Sequence, residues 1–180
     1  MLIRDATDHD AEGIAIIYND AVANTTAIWN DAIVDVENRR DWIAERQAAG
    51  FPVLVAVEPG VSGTGTGTGT DDVLGYATYG PFRPHDGFHR TVEHSVYVRN
   101  DQRGAGLGGQ LMAAIIDKAR STGIHVMVAG IDASNTGSIR LHERLGFQPT
   151  GVLTQVGTKF GRWLDLAFLQ LTFDEVTPPE

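Results

Sequence analysis

Four glycines behind a single arginine, in the run QRGAGLGGQL at residues 102–111, are the first feature of this sequence with the means to do chemistry. A glycine-rich turn that feeds an apolar, helix-like segment gathers backbone N–H groups into a concavity for an anion, and Arg103 adds positive charge beside it. Three anions compete for such a loop. Gly104-x-Gly106-x-x-Gly109 matches a dinucleotide fingerprint to the letter, with Asp132 near where a ribose-binding acid is sought. That fold needs further strand–helix repeats, however, and only one strand and one short helix precede a terminal hairpin. A nucleotide-triphosphate loop needs Lys and Ser/Thr where Gln110 and Leu111 stand. What remains is a diphosphate held by the amides of residues 104–109.

Other chemistries are weaker. His85, Asp86, His89 and His94 lie close together in PFRPHDGFHRTVEH, but no helical i, i+4 histidine pair with a general base accompanies them, so no metal is expected. The chain has no cysteine, which removes thiolate ligands, disulfides and a cysteine nucleophile together. Acidic residues outnumber basic ones by 23 to 14, for a net charge of −9, and nucleic acid would be repelled. The amino-terminal stretch MLIRDATDHDAEG is charged, and no apolar run approaches the roughly 18 residues of a membrane span. No membrane partner and a cytoplasmic location are the expectations.

The elements that must position the loop follow from periodicity. MLIRDAT reads as a strand; Thr7-x-x-Asp10 resembles a capping box ahead of a helix with Ile14, Ile17, Tyr18, Ala21 and Val22 at helical spacing. A second helix carries Val36, Trp42, Ile43 and Ala49 and stops at Gly50. PVLVAVE and VLGYATYG read as a hairpin joined by a flexible Gly/Thr loop at 60–72 with no apolar face to bury. TVEHSVYV is the strand before the glycine loop, and Leu107, Leu111, Ala114, Ile115 and Ala119 share one face of the helix after it. HVMVAGID, NTGSIRLHERLGF and a long terminal hairpin complete the order β-α-α-β-β-β-α-β-α-β-β. This is a single mixed α/β domain over residues 1–174 with a tail at 175–180.

Arg103-x-x-Gly106-x-Gly108, between a strand and a helix, resembles the pyrophosphate loop of the GNAT superfamily of acyl-CoA-dependent N-acetyltransferases. Asn135-x-x-Ser138-x-x-Leu141-His142-Glu143-x-x-Gly146-Phe147 is similar to the same superfamily's fourth-helix motif. GPF, TVEHSVYV, NTGSIRLHE and VGTKFGRWLD resemble the phosphinothricin acetyltransferase family. AIWNDAIVD, VEHSVYV, HVMVAGI and QVGTKFGRWLDL are especially similar to its methionine sulfoximine/methionine sulfone acetyltransferase members, and the likeness covers nearly the whole chain. It implies the GNAT fold, a mixed twisted sheet flanked by helices. The donor implied is acetyl-CoA, the acceptor a small-molecule amine, and the assembly a homodimer.

The resemblance also implies a site. Coenzyme contacts fall to Val96, Tyr97, Val98, Arg103, Gly104, Ala105, Gly106, Leu107, Gly108, Gly109, Asn135 and Ser138. Acceptor contacts fall to Phe82, Arg83, Asp86, Gly87, Phe88 and Glu93. An α-amine is mostly protonated at pH 7, so direct transfer needs a carboxylate to help remove its proton, and Glu93 is the candidate. Alternation puts Glu93 on one face of its strand with Thr91, Ser95 and Tyr97, opposite Val92, His94, Val96 and Val98. Where many superfamily members carry a tyrosine that protonates the leaving thiolate, this chain has His142, read either as that acid or as a packing residue. Asn135 reads both as a helix cap and as a coenzyme contact. Trp163 and Asp165 read as organisers of the hairpin or of a dimer contact. The rival functions are a protein or polyamine acetyltransferase and a non-catalytic acyl-CoA sensor.

Overall fold

A computed structural model describes residues 1–58 and 72–174. The proposed Gly/Thr loop lies outside the described residues except for Asp72, which opens a strand and is no part of a loop; the tail at 175–180 also lies outside them. Seven strands, β1 (Leu2–Asp5), β2 (Val53–Glu58), β3 (Asp72–Pro81), β4 (Thr91–Val98), β5 (Val126–Asp132), β6 (Gln148–Lys159) and β7 (Arg162–Thr172), form one sheet in the order β1-β2-β3-β4-β5-β7-β6. Four α-helices, α1 (Ala11–Asn24), α2 (Val36–Ala48), α3 (Leu107–Ser121) and α4 (Thr136–Arg144), complete the chain order read from periodicity.

Both faces of the sheet are covered at β2 and β3, which is why β2 reads as an apolar run as far as Val57. Leu107, Leu111 and Ile115, spaced four apart on α3, pack on Tyr79, Val92, Met127 and Leu169 from one side. From the other, Ile14 and Ile17 of α1 and Ile43 of α2 pack on Val53, Val55 and Tyr76. Asp10, almost wholly buried ahead of α1, accepts from the Thr7 backbone N–H at 2.7 Å and from Arg4 at 2.7 and 2.9 Å. Burial works to raise its carboxyl pKa, but those bonds outweigh it and hold the group below its ordinary value.

The sheet divides in the middle. β4 and β5 are its one parallel pair, and they are in register only from Thr91↔Val126 to Glu93↔Val128. Beyond Glu93, β4 stays paired with β3 as far as Val98, and β5 stays paired with β7 as far as Asp132. The two halves therefore part company. Residues 94–98 of β4 present backbone polar groups on that side with no neighbouring strand to take them.

Candidate active site

The glycine loop stands at the open end of this split. At Gly104 and Gly106 φ is +83°, the left-handed region that a glycine enters without the steric penalty of a side chain. These two turns let the chain leave β4 and enter α3 at Leu107. The Gln110 N–H is bonded to the Gly106 carbonyl at 3.2 Å, so the amides of Leu107, Gly108 and Gly109 lie ahead of the helical ladder, free for a ligand. Arg103 is anchored beside them, its Nε donating to the Val98 carbonyl at 3.3 Å and its Nη2 3.5 Å from Asp20 of α1.

A cleft of about 760 Å³ runs from this loop along β4. Of the residues assigned to the coenzyme from sequence, all but Ala105 line it. Asn135 caps α4, its side-chain oxygen accepting the Ser138 N–H at 3.0 Å, and that geometry directs the first turn of α4 toward the cleft. Sequence reasoning missed the opposite wall. Ile17 and Ala21 look like ordinary core positions of α1, and Thr25–Ala27 belong to a loop with no motif.

That loop is held from far away in the chain. Lys159, buried at the end of β6, donates its ammonium to the carbonyls of Val22 and Ile28. Burial lowers its pKa, with Asp31 opposing the shift. The Trp29 indole lies over Gly157 of β6, where a side chain would run into it, and its N–H donates to the Thr26 carbonyl at 2.9 Å.

Glu93 lies where the split begins. It is no edge-strand carboxylate, because β3 and β5 flank it on either side. A Cβ at Gly130 of β5 would stand 3.0 Å from Glu93 Oε1, so the missing side chain there gives the carboxylate its place. Burial raises the Glu93 pKa, and the nearby Arg83 charge offsets part of the rise. Residues in register with Thr91 and Glu93 project to the same side of the sheet, and on that side lies a second pocket of about 470 Å³. Phe82, Arg83, Phe88 and Thr91 form one wall, Val126 and Val128 the floor, and Thr150–Leu153, Phe168 and Gln170 the other wall. Phe82 and Phe88 meet edge to face at 5.7 Å, and the Arg83 guanidinium lies 4.1 Å over the Phe82 ring. Of the residues assigned to the acceptor from sequence, Phe82, Arg83 and Phe88 line this pocket, whereas Asp86 and Gly87, which are exposed, and Glu93 do not.

His142 is elsewhere. Its ring is 1% exposed, stacked on His94 at 5.0 Å and edge-on to Phe147 at 5.1 Å. Its Nδ1 is 2.7 Å from the Ser138 carbonyl, which can only accept, so that nitrogen carries the proton. Nε2 then accepts from Nε2 of His94 at 3.2 Å, and the buried Nδ1 of His94 has no partner among the described residues. Burial lowers both pKa values, that of His94 to about 3 with His142 contributing. Near neutral pH the pair is uncharged, and it does not line either pocket.

Asp165 accepts the backbone N–H of Gln155 at 2.7 Å across a bulge in β6, whereas Trp163 is 65% exposed. Among the described residues no three His, Asp or Glu side chains are grouped to hold a metal, and no helix is long and apolar enough to cross a membrane.

The model of the acetyltransferase (GNAT) family matches residues 14–147. An L-methionine sulfoximine/L-methionine sulfone acetyltransferase of Pseudomonas aeruginosa is 56% identical over 96% of this chain and 94% of its own. An L-amino acid N-acyltransferase of Escherichia coli is 53% identical over 100% of this chain and 98% of its own. Among solved structures, a putative acetyltransferase from Salmonella typhimurium, with its cofactor acetyl-CoA, superimposes with a TM-score of 0.90. It is 51% identical, over 100% of this chain and 98% of that one.

Proposed function

Because the chain belongs to the acetyltransferase (GNAT) family and is an acetyl-CoA-dependent N-acetyltransferase, we propose that its acceptor is the α-amine of a small amino-acid analogue such as methionine sulfoximine or methionine sulfone. The observation that carries this reading is the position of Glu93. It stands at the closed end of the β4–β5 split, between the glycine-loop cleft and the pocket under Arg83, three residues or roughly 10 Å from Val96 of the cleft wall.

On this reading the amides of the glycine loop bind the donor's diphosphate, and the backbone of Val96–Val98, on the side turned away from β3, aligns its acyl arm. Glu93 accepts the proton of the acceptor ammonium, directly or through one water, so that a neutral amine attacks the thioester carbonyl; the C–N bond forms, the C–S bond breaks, and the departing coenzyme A thiolate takes up the second proton that the nitrogen loses as it becomes an amide. A carboxylate whose pKa is raised is a better match to that proton than an ordinary surface glutamate. Arg83 offers a donor fork to the acceptor's carboxylate or oxygen-rich end group. His142 falls on the packing side of its two readings, since its ring is in the core with both nitrogens engaged. The exposed Val152, Leu153 and Val156 of the outer strand β6, with Phe160 in the turn after it, support a homodimer contact, and the expected location is cytoplasmic.

The test is a comparison of specificity constants, by thiol release from acetyl-CoA, for methionine sulfone, methionine sulfoximine, phosphinothricin, spermidine and a peptide amine. The first two should lead, and decarboxylated analogues should be poor. A preference for spermidine or the peptide would overturn the acceptor assignment.

A further inference from the structure

The cleft of a chain carrying a net charge of −9 is lined, among the described residues, by two charged side chains, and both are arginines: Arg103 and Arg144. Arg103 is already engaged with Asp20 and the Val98 carbonyl beside the diphosphate loop. Arg144 stands apart from it, exposed on the last turn of α4, with no ion pair or hydrogen bond to a described residue. Leu141, on the same face of α4 and one turn before it, lies 3.6 Å from where side chains on Gly108 and Gly109 would begin. Arg144 thus lines the cleft together with the glycine loop, exposed and with no protein partner for its guanidinium among the described residues. Arg140, also exposed on α4, does not line the cleft.

Acetyl-CoA carries two separate groups of phosphate charge. The diphosphate matches the amides of the loop; the monoester on the ribose 3′-oxygen carries about −1.5 to −2 at pH 7 and needs a partner of its own. A guanidinium offers a planar donor fork that suits a phosphate monoester, and the cleft holds one that no protein carboxylate occupies. Resting on the donor described above, we propose that Arg144 binds the 3′-phosphate of acetyl-CoA and makes the enzyme discriminate against donors that lack it.

The experiment compares acetyl-CoA with 3′-dephospho-acetyl-CoA as donors for the wild type, Arg144→Gln and Arg144→Lys, under one buffer with methionine sulfone as acceptor. Wild type should show a KM lower for acetyl-CoA by roughly tenfold or more, as a charge-assisted contact predicts. In Arg144→Gln that ratio should fall to within about twofold of one, and Arg144→Lys should retain part of it, because an ammonium supplies charge without the fork. A merely structural role would weaken both donors alike and leave the ratio standing, and that result overturns the inference. So does a wild-type enzyme with no preference between the donors, a result that needs no variant. Failure of wild type with both donors, by turnover and by direct binding, would instead remove the acetyl-CoA reading and this inference with it.

Discussion

The glycine-loop cleft and the pocket under Arg83 lie on the same strand, yet they are built in different ways. The cleft is made largely from two short stretches, residues 102–109 and 134–144, and much of what it offers is backbone. The pocket takes its walls from four separate segments, at 82–91, 126–128, 150–153 and 168–170, and offers side chains. A site of the first kind tolerates change in most residues but not in the few that set the chain's path. A site of the second kind can be respecified one side chain at a time, because the strands that carry those side chains are held by ladder bonds that take no part in recognition.

The largest effect expected from this contrast is at Gly106. Glutamate there would force a side chain into a φ of +83° and place negative charge against the diphosphate. Calorimetry should find acetyl-CoA affinity reduced by about 100-fold or more in a folded protein. Unchanged affinity would make the glycine loop an ordinary turn and erase the distinction between the two regions.

Glu93→Gln strikes the junction and should lower turnover by about 10²-fold with donor affinity kept. Burial, partly offset by Arg83, lifts the Glu93 pKa, so the ionised base appears at higher pH than for an ordinary glutamate. The acidic limb of the wild-type rate profile should sit correspondingly high and rise with pH; in the variant that limb disappears, with partial recovery at alkaline pH as neutral amine accumulates. Two superimposable profiles would take Glu93 out of the reaction.

The smallest effect sharpens the comparison from inside the cleft. Lys159→Met strips the buried carbonyls of Val22 and Ile28 of their donor and should cost about 1–3 kcal/mol, read as a lower melting temperature. KM for acetyl-CoA should rise severalfold while kcat changes less, since the loop at 25–27 walls the cleft but carries no reacting group. Equal losses in KM for donor and acceptor would mean that the loop serves both regions.

The same contrast decides what could be read from the sequence. The element order, the glycine loop and the cap at Asn135 were legible because each is local: a left-handed turn, a helix start and an apolar stripe are written in adjacent residues. Ile17, Ala21 and the loop at 25–27 were not, since a small apolar residue facing a cleft has the same pattern as one facing a core. Gly130 was silent for a related reason. Its role is to leave room for a carboxylate on the neighbouring strand, and that depends on a parallel register ending at Glu93, which no local pattern encodes. The pocket wall at Thr150–Leu153 depends likewise on how β6 and β7 pair. Asp86 and Gly87, placed by resemblance within a contiguous run, turned out to stand outside the pocket that their neighbours line.

The ammonium of Lys159 grips carbonyls 137 and 131 residues earlier in the chain. During translation, at ordinary elongation rates, that interval lasts on the order of ten seconds. Throughout it the segment after α1 has been made but lacks the residue that fixes it, and Trp29 lacks the Gly157 surface on which it rests. The loop at 25–27 that walls the cleft is therefore pinned only once residue 159 has been made. A chain truncated before residue 157 would keep the glycine loop, the helix it opens and the residues of the opposite wall, and still lack the ammonium and the glycine surface that hold that wall in place.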